Sequence, residues 1–304
     1  MVTKLRRTKA PWVALPFEYS NGPVYPGQSA GFLGLRYAPL WVKDDVNAPN
    51  FRQNTLGLPS EMTLERLSQR RNLLVSLEKV YDRVARTATT AEMTAAQGRA
   101  LELITTPKIH QAFQLDRESD RLRTRYGRNL FGQSCLLARR LVEAGIPLVL
   151  VESFGADGFP RGGTGWDMHT KIFDTLKTEV FPIQDRGFAV LLEDLATRGL
   201  LDETLVVWTT EFGRSPKINQ YAGRDHWPYV YTVLFAGAGV QAGVVYGSSD
   251  RLAAYPATNP VTPQDIAATI YHCLGINPHT LIHDQQGRPF EVGSGGEPIW
   301  GILA

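Results

Sequence analysis

From Gly132 onward the sequence alternates between short apolar runs and long amphipathic stretches, and few folds accept that alternation. Pro147-Leu148-Val149-Leu150-Val151 and Thr204-Leu205-Val206-Val207-Trp208 are continuous apolar runs of strand length, as in a sheet covered on both faces. Tyr229 to Ala236 reads as a third strand. The stretches between are helical. One runs from Gly132 to Ala144 and stops at Gly145; a longer one, Lys171 to Arg198, is bent at Pro182 and stops at Gly199. A last helix opens at Thr262-Pro263-Gln264-Asp265, with a cap residue, proline in the first helical position and an acid three residues after the cap; it reaches Leu274 and is closed by Gly275. Strands separated by long helices predict an α/β fold with a mostly parallel sheet and helices on both faces.

Upstream of Gly132 the organisation differs. Met1 to Pro59 is rich in Pro, Gly, Tyr and Asn; Pro16, Pro23, Pro26 and the run Gly31-Phe32-Leu33-Gly34 predict an irregular, surface-wrapping segment with no strong strand to open it. Beyond Thr63, Leu64, Leu67, Leu74, Leu77, Tyr81 and Val84 recur at helical spacing, and a second helix is expected over 91–103. Gln111 to Tyr126 reads as a charged helix in which Arg117, Arg121, Arg123 and Arg125 pair with Asp116, Glu118 and Asp120 on a solvated face. The implied division is residues 1–60 as the irregular wrapping segment, 61–130 as a helical insertion or cap, and 131–304 as the α/β core.

Composition narrows the function classes. The 304 residues are 43% hydrophobic and 20% charged, which suits one large core with or without a smaller attached segment. With 32 basic against 30 acidic residues the net charge is +2, so there is no basic field to hold nucleic acid or an anionic membrane. No apolar run approaches the roughly 18 residues of a membrane span. Met1 to Phe17 has no apolar segment of signal-peptide type, so the sequence as written predicts a cytoplasmic chain. Cys135 and Cys273 lie far apart within apolar helical patterns and are expected to be buried free thiols.

The polar chemistry concentrates between Gly165 and Trp227, in three short clusters: Gly165-Trp166-Asp167-Met168-His169, Glu211-Phe212-Gly213-Arg214, and Gly223-Arg224-Asp225-His226-Trp227. Each follows or adjoins an expected strand, and open parallel sheets bind ligands beyond the carboxyl ends of their strands. Asp167 and His169, two apart, present ligands from one face of an extended segment; Glu211 adds a carboxylate, and Asp225 and His226 a carboxylate and a second imidazole. Mixed oxygen and nitrogen donors suit a divalent metal such as zinc, manganese or calcium. Arg214 and Arg224 are candidate clamps for an oxyanion, walled by Trp166, Trp227 and Tyr229. Each feature has a structural alternative. Asp167 can cap a helix with His169 on backbone, Glu211 can pair with Arg214, Arg224 can pair with Asp225, and the aromatics can be ordinary packing. His110, His272, His279 and His283 read as structural or solvated. The glycines of 237–239 and 243–247 read as tight turns, lacking a phosphate-loop Lys-Ser/Thr. A serine-elbow hydrolase is not expected.

These motifs, with Leu200-Leu201-Asp202-Glu203-Thr204-Leu205-Val206-Val207, the extension Ser215-Pro216 after Arg214, Pro228 after Trp227, the stretch Leu136 to Gly145 and Gly287-Arg288-Pro289, resemble the bacterial domain of unknown function fifteen-oh-one family. That is a sulfatase-like family of the alkaline-phosphatase superfamily, and the resemblance is specific from about Tyr126 onward. It implies an α/β/α sandwich and metal-dependent cleavage of phosphate or sulfate esters. By analogy Asp167 and His169 match the first metal-binding pair, Glu211 the next carboxylate position, and Asp225 or His226 the last. Full-length members open with a strand ending in a metal-binding Asp followed by a Ser, Thr or Cys nucleophile. Met1 to Pro59 resembles the family's middle instead, so the chain is expected to be N-terminally truncated, and an exported relative would carry its signal in the missing part.

Two functions are carried forward. The first is a metal-dependent hydrolase of a small anionic ester, with Asp167, His169, Glu211, Asp225 and His226 at the metal and Arg214 and Arg224 on the oxyanion. The second is a non-catalytic remnant or binding module of the same fold.

Overall fold

The computed structural model describes residues 12–18, 27–34, 37–49, 51, 61–81, 98, 106–153, 165–284 and 286–304. They fall into two compact units, one from residues 124–135 and 153–304, the other from residues 7–123 and 136–152. The helix expected over 91–103 lies outside the described residues except for the helical Gly98, as do Pro23, Pro26, Val84 and most of the glycine-rich loop before Gly165.

The second of these units holds a three-stranded parallel sheet. Its strands β1 (Val13–Leu15), β2 (Leu40–Trp41) and β3 (Val149–Val151) lie in the order β2-β1-β3. Val13 faces both Leu40 and Val149 across the two ladders. A central strand is covered on both faces, and Val13, Ala14 and Leu15 are fully buried. The segment read from sequence as strandless therefore supplies the middle of the sheet. Its apolar run is only three residues long between Trp12 and Pro16, too short to show periodicity. The β3 run forms a strand, but a shorter one at the edge of this sheet, half-buried rather than covered on both faces, with Leu148 exposed.

Helix α1 (Leu64–Tyr81) forms where the helical spacing predicts, although Leu74 of the expected apolar set is exposed. The charged stretch after it is not one helix but α2 (Pro107–Ala112), a 3-10 turn at Leu115–Arg117 and α3 (Asp120–Tyr126). Ion pairing explains the break. Glu118 does not join a solvated stripe. Its Oε1 accepts from Arg139 Nη2 at 2.7 Å and from Arg140 Nη1, and Arg140 also donates to the carbonyls of Gln111 (2.6 Å) and Ala112 (2.7 Å). Both arginines belong to helix α4 (Leu130–Ala144). Burial raises the Glu118 carboxyl, but the hydrogen bonds and charges of Arg139 and Arg140 hold it below its usual range.

In the unit of residues 124–135 and 153–304, Tyr126 donates to Asp194 Oδ2 at 2.9 Å. The long helical stretch is α5 (Ile172–Thr175), a π-helical turn (Leu176–Val180) and α6 (Phe181–Thr197). The wide turn falls just before Pro182, whose ring and missing N–H do not fit a regular α-helical ladder. Gly145, Gly199 and Gly275 close α4, α6 and the last helix, α7 (Pro263–Cys273), all at positive φ. Each time the residue after the glycine bonds back five residues: Ile146 to Leu141, Leu200 to Leu195 and Ile276 to Tyr271. The capping box of α7 forms as read: Thr262 Oγ1 accepts from the Asp265 N–H at 3.2 Å, and Asp265 Oδ2 accepts from the Thr262 N–H at 2.8 Å.

Strand direction departs from expectation. Strand β4 (Leu205–Trp208) pairs antiparallel with a strand at Leu234–Gly237, Trp208 opposite Leu234. Parallel neighbours need a crossover, usually a helix. The residues between Trp208 and Leu234 contain instead a short antiparallel ladder of β5 (Gly213–Arg214) on β6 (His226–Trp227), so the chain doubles back; Leu234–Gly237 is then β7. Leu205 and Phe235 pack with Ile266 of α7 onto a core of Cys273, Ile299, Ile302 and Leu303. Both cysteines are free and buried, as expected. The fold is mixed α/β, with one small parallel sheet among the described residues.

Candidate metal centre

Two chain segments are locked side by side by their backbones. The N–H groups of Lys171 and Ile172 donate to the carbonyls of Tyr221 and Ala222, and the Arg224 N–H donates to the Met168 carbonyl. Gly223 sits so close that a Cβ there would lie 2.0 Å from the His169 carbonyl carbon, so no other residue fits. Met168 is the buried member of its segment, packed on Ile172, Val180, Trp166 and Leu176. Its neighbours Asp167 and His169 are left half-exposed. The β5–β6 ladder brings Arg214 directly opposite His226, and a Cβ on Gly213 would lie 2.1 Å from the Val230 carbonyl oxygen.

Three side chains converge here. One ligand atom from each of Asp167, His169 and His226 lies within 4.8 Å of the others. Asp167 Oδ1 is 3.0 Å from His169 Nε2 and 2.7 Å from His226 Nε2, and the two Nε2 atoms are 3.2 Å apart. Donors about 2.1 Å from one ion stand roughly 3.0 Å apart at right angles and roughly 3.4 Å apart in a tetrahedron, so the triangle has the dimensions of three donors on one face of an ion.

Electrostatics favour the same arrangement. Partial burial raises the Asp167 carboxyl, but hydrogen bonds from His226 and Arg214 and the charges of Arg214 and His169 outweigh it and bring it down to about 2. Asp225 lies behind His169, its Oδ1 2.9 Å from Nδ1. The hydrogen bonds from His169 and then Asn219 hold Asp225 below the usual carboxylate range. With its Nδ1–H donated to Asp225, a neutral His169 turns the lone pair of Nε2 toward Asp167 and His226.

With this geometry in hand, the comparison with family models is decisive on kinship. The chain belongs to the family described as protein of unknown function (DUF1501), whose model matches residues 8–303. No curated protein and no solved structure matches it.

The remaining residues singled out in this DUF1501 sequence are placed as follows. Asp225 stands behind an imidazole rather than in the triangle. Glu211 is outside the triangle too; it is exposed and accepts from Thr210 Oγ1 at 2.9 Å, while its neighbour Phe212 lays its ring 4.5 Å from that of His226. Arg214 pairs with Asp167 at 2.6 Å and also donates to the carbonyls of Trp166 and Arg224. Arg224 donates to the Ser215 carbonyl and stacks over Phe173. Both guanidinium groups thus make protein contacts. Trp166 packs against Phe181 and Trp208, and Trp227 meets Tyr229 and Tyr255 edge-on.

Asn219 is the residue that the motif reading missed in the DUF1501 loop. Its Nδ2 donates to the His169 carbonyl (3.0 Å) and to Asp225 Oδ1 (3.3 Å), while its Oδ1 accepts from the N–H groups of Tyr221 and Gly223. An asparagine four residues before a glycine in a polar loop is the signal that marks such a turn. Gly27-Gln28-Ser29-Ala30-Gly31, against the expectation above, does carry serine-elbow spacing. A 3-10 turn at Gly31–Leu33 follows it instead of a helix, and the Ser29 hydroxyl accepts from the Gly31 N–H.

Proposed function

We propose that Asp167, His169 and His226 hold a divalent metal and that the site hydrolyses phosphate or sulfate esters. The convergence of their three ligand atoms is the observation that carries this reading. Two imidazoles and one carboxylate suit zinc or manganese better than calcium, which prefers oxygen donors. When bound, such an ion supplies Lewis-acid polarisation of the ester oxygens and a lowered pKa for its water. The chain's own residues prepare the site. Asp225 fixes the tautomer and ring angle of His169. Arg214 holds Asp167 ionised and aimed at the imidazoles. Phe212 covers one face of His226 and limits water there. Asn219 keeps Asp225 and the His169 backbone in register. Kinship with alkaline-phosphatase-like, sulfatase-like hydrolases and their α/β/α sandwich belongs to this proposal, supported by the sequence resemblance.

The test is metal content after incubation with zinc or manganese and dialysis, alongside turnover of aryl phosphates and aryl sulfates. About one ion per chain is expected, with loss in Asp167→Ala, His169→Ala and His226→Ala. Full metal content in all three variants would overturn the ligand set. A second reading, a metal-holding but non-catalytic binding module, is favoured by the protein contacts of Arg214 and Arg224. Stoichiometric metal without turnover of either ester class would select it.

A further inference from the structure

Two members of the triad open on a solvent-open depression of about 950 Å³, comparable in volume to the roughly 300–1,000 Å³ of clefts that hold drug-sized organic molecules. His169 and His226 line it together with Lys217, Ile218, Tyr221 and Trp227. This wall is unusual for a site that handles only a small inorganic anion. Ile218 and Tyr221 leave 47% and 62% of their surface open to solvent, although both are large and apolar. Trp227 is fixed in place, its Nε1–H donating to the Ala254 carbonyl at 2.6 Å and its ring braced edge-on by Tyr229 and Tyr255. Lys217, whose carbonyl accepts from the Ser215 hydroxyl at 2.7 Å, is exposed and makes no ion pair among the described residues.

Building on the metal-site reading, we infer that this cavity receives the organic half of the substrate, an ester of a ring-bearing alcohol whose flat face lies against Trp227, Tyr221 and Ile218. Apolar wall surface stays hydrated unless something covers it, and a phosphate or sulfate group alone covers none of it. A ring, aryl or pyranose, does so. An ordered aromatic side chain gives up little freedom on binding one, and the contact is strongest with the ring stacked or edge-on. Lys217 supplies the counter-charge that draws the anionic end toward the imidazoles. The substrate class is therefore aryl or glycosyl esters of phosphate or sulfate, rather than short alkyl esters.

Calorimetry on the zinc-loaded full chain tests this with non-hydrolysable probes that share one head group: methylphosphonate, phenylphosphonate and a C-glucosyl phosphonate, the analogue of glucose 1-phosphate. At least one ring-bearing probe is expected to bind about tenfold tighter than methylphosphonate. Which ring shows the gain distinguishes an aryl from a glycosyl substrate. In the double variant Ile218→Ala with Tyr221→Ala, most of that gap closes, while metal content and methylphosphonate affinity stay unchanged. Lys217→Gln weakens all three probes by a common factor that shrinks with added salt. Equal affinity of methylphosphonate and both ring probes, or a gap that survives the double variant, would overturn the inference and leave the metal-site reading standing. Retained zinc with no binding of methylphosphonate or either ring probe would overturn the ester reading itself, and this inference with it.

Discussion

At the residue scale, Asp225 separates a ligand from a ligand's support in the proposed metal site. Sequence spacing places it beside His226 and so among the metal donors, but its carboxylate faces the far nitrogen of His169. Removing a group of this kind weakens metal binding without abolishing it, typically by about 10–100-fold. Asp225→Asn is expected to raise the zinc dissociation constant by about that factor in chelator competition, whereas Asp167→Ala leaves no measurable tight site. Equal losses in the two variants would place Asp225 in the triangle. Asp167, His169 and His226 were singled out from sequence because their residue types suit a metal, and the structure brings their ligand atoms within 4.8 Å of one another. Asn219 was not, because its role is to satisfy backbone groups at a turn, and asparagines do that in many loops. Gly223 was read only as the first residue of a polar cluster. Its actual constraint, a carbonyl 2.0 Å from where a Cβ would sit, is a tertiary contact that no local pattern encodes. Gly223→Ala is expected to cost about 1–3 kcal/mol in urea unfolding and to reduce bound metal, since it pushes the His169 backbone away from Arg224.

At the element scale, helix ends were the most legible features and strand partners the least. A capping box and a terminal glycine act through bonds within six residues, so Thr262, Asp265, Gly145, Gly199 and Gly275 declare themselves locally. Strand direction depends on what lies between strands, and the β5–β6 ladder is too short to register as a pattern. The same holds for β1, whose three residues are identifiable only by their burial. Thr262→Ala removes the acceptor for the Asp265 N–H and is expected to destabilise the protein by about 1 kcal/mol, read as a lowered urea midpoint. Thr262→Ser retains the oxygen and most of the stability. Loss of the same size in both would point to packing rather than capping.

At the scale of the whole molecule, the ion pairs predict how the chain responds to acid. Glu118 lies beneath Arg139, which is almost wholly buried, and Arg140. Its folded pKa lies below the ordinary 4.5, and Asp265 likewise lies below 3.8, burial raising it but bonds from the Glu297 and Thr262 backbones and the Thr262 side chain lowering it further. A depressed folded pKa means that the unfolded chain takes up the proton first as pH falls. Each group's contribution is therefore complete above its unfolded value and is lost as pH drops through the folded one. Stability should be nearly flat from about pH 7 to about pH 5.5 and fall below about pH 4.5, with denaturant midpoints as the measurement. Glu118→Gln keeps the shape but removes the carboxylate that Arg139 and Arg140 share, leaving Arg139 paired with Glu143 at 2.6 Å, and is expected to cost about 2 kcal/mol at neutral pH. Because the variant lacks the titrating group, its stability should also decline less steeply between about pH 5 and about pH 3 than that of the wild type. Parallel acid profiles for the two proteins would show that the Glu118 cluster does not govern acid unfolding, leaving Asp265 and the other depressed carboxylates to account for it.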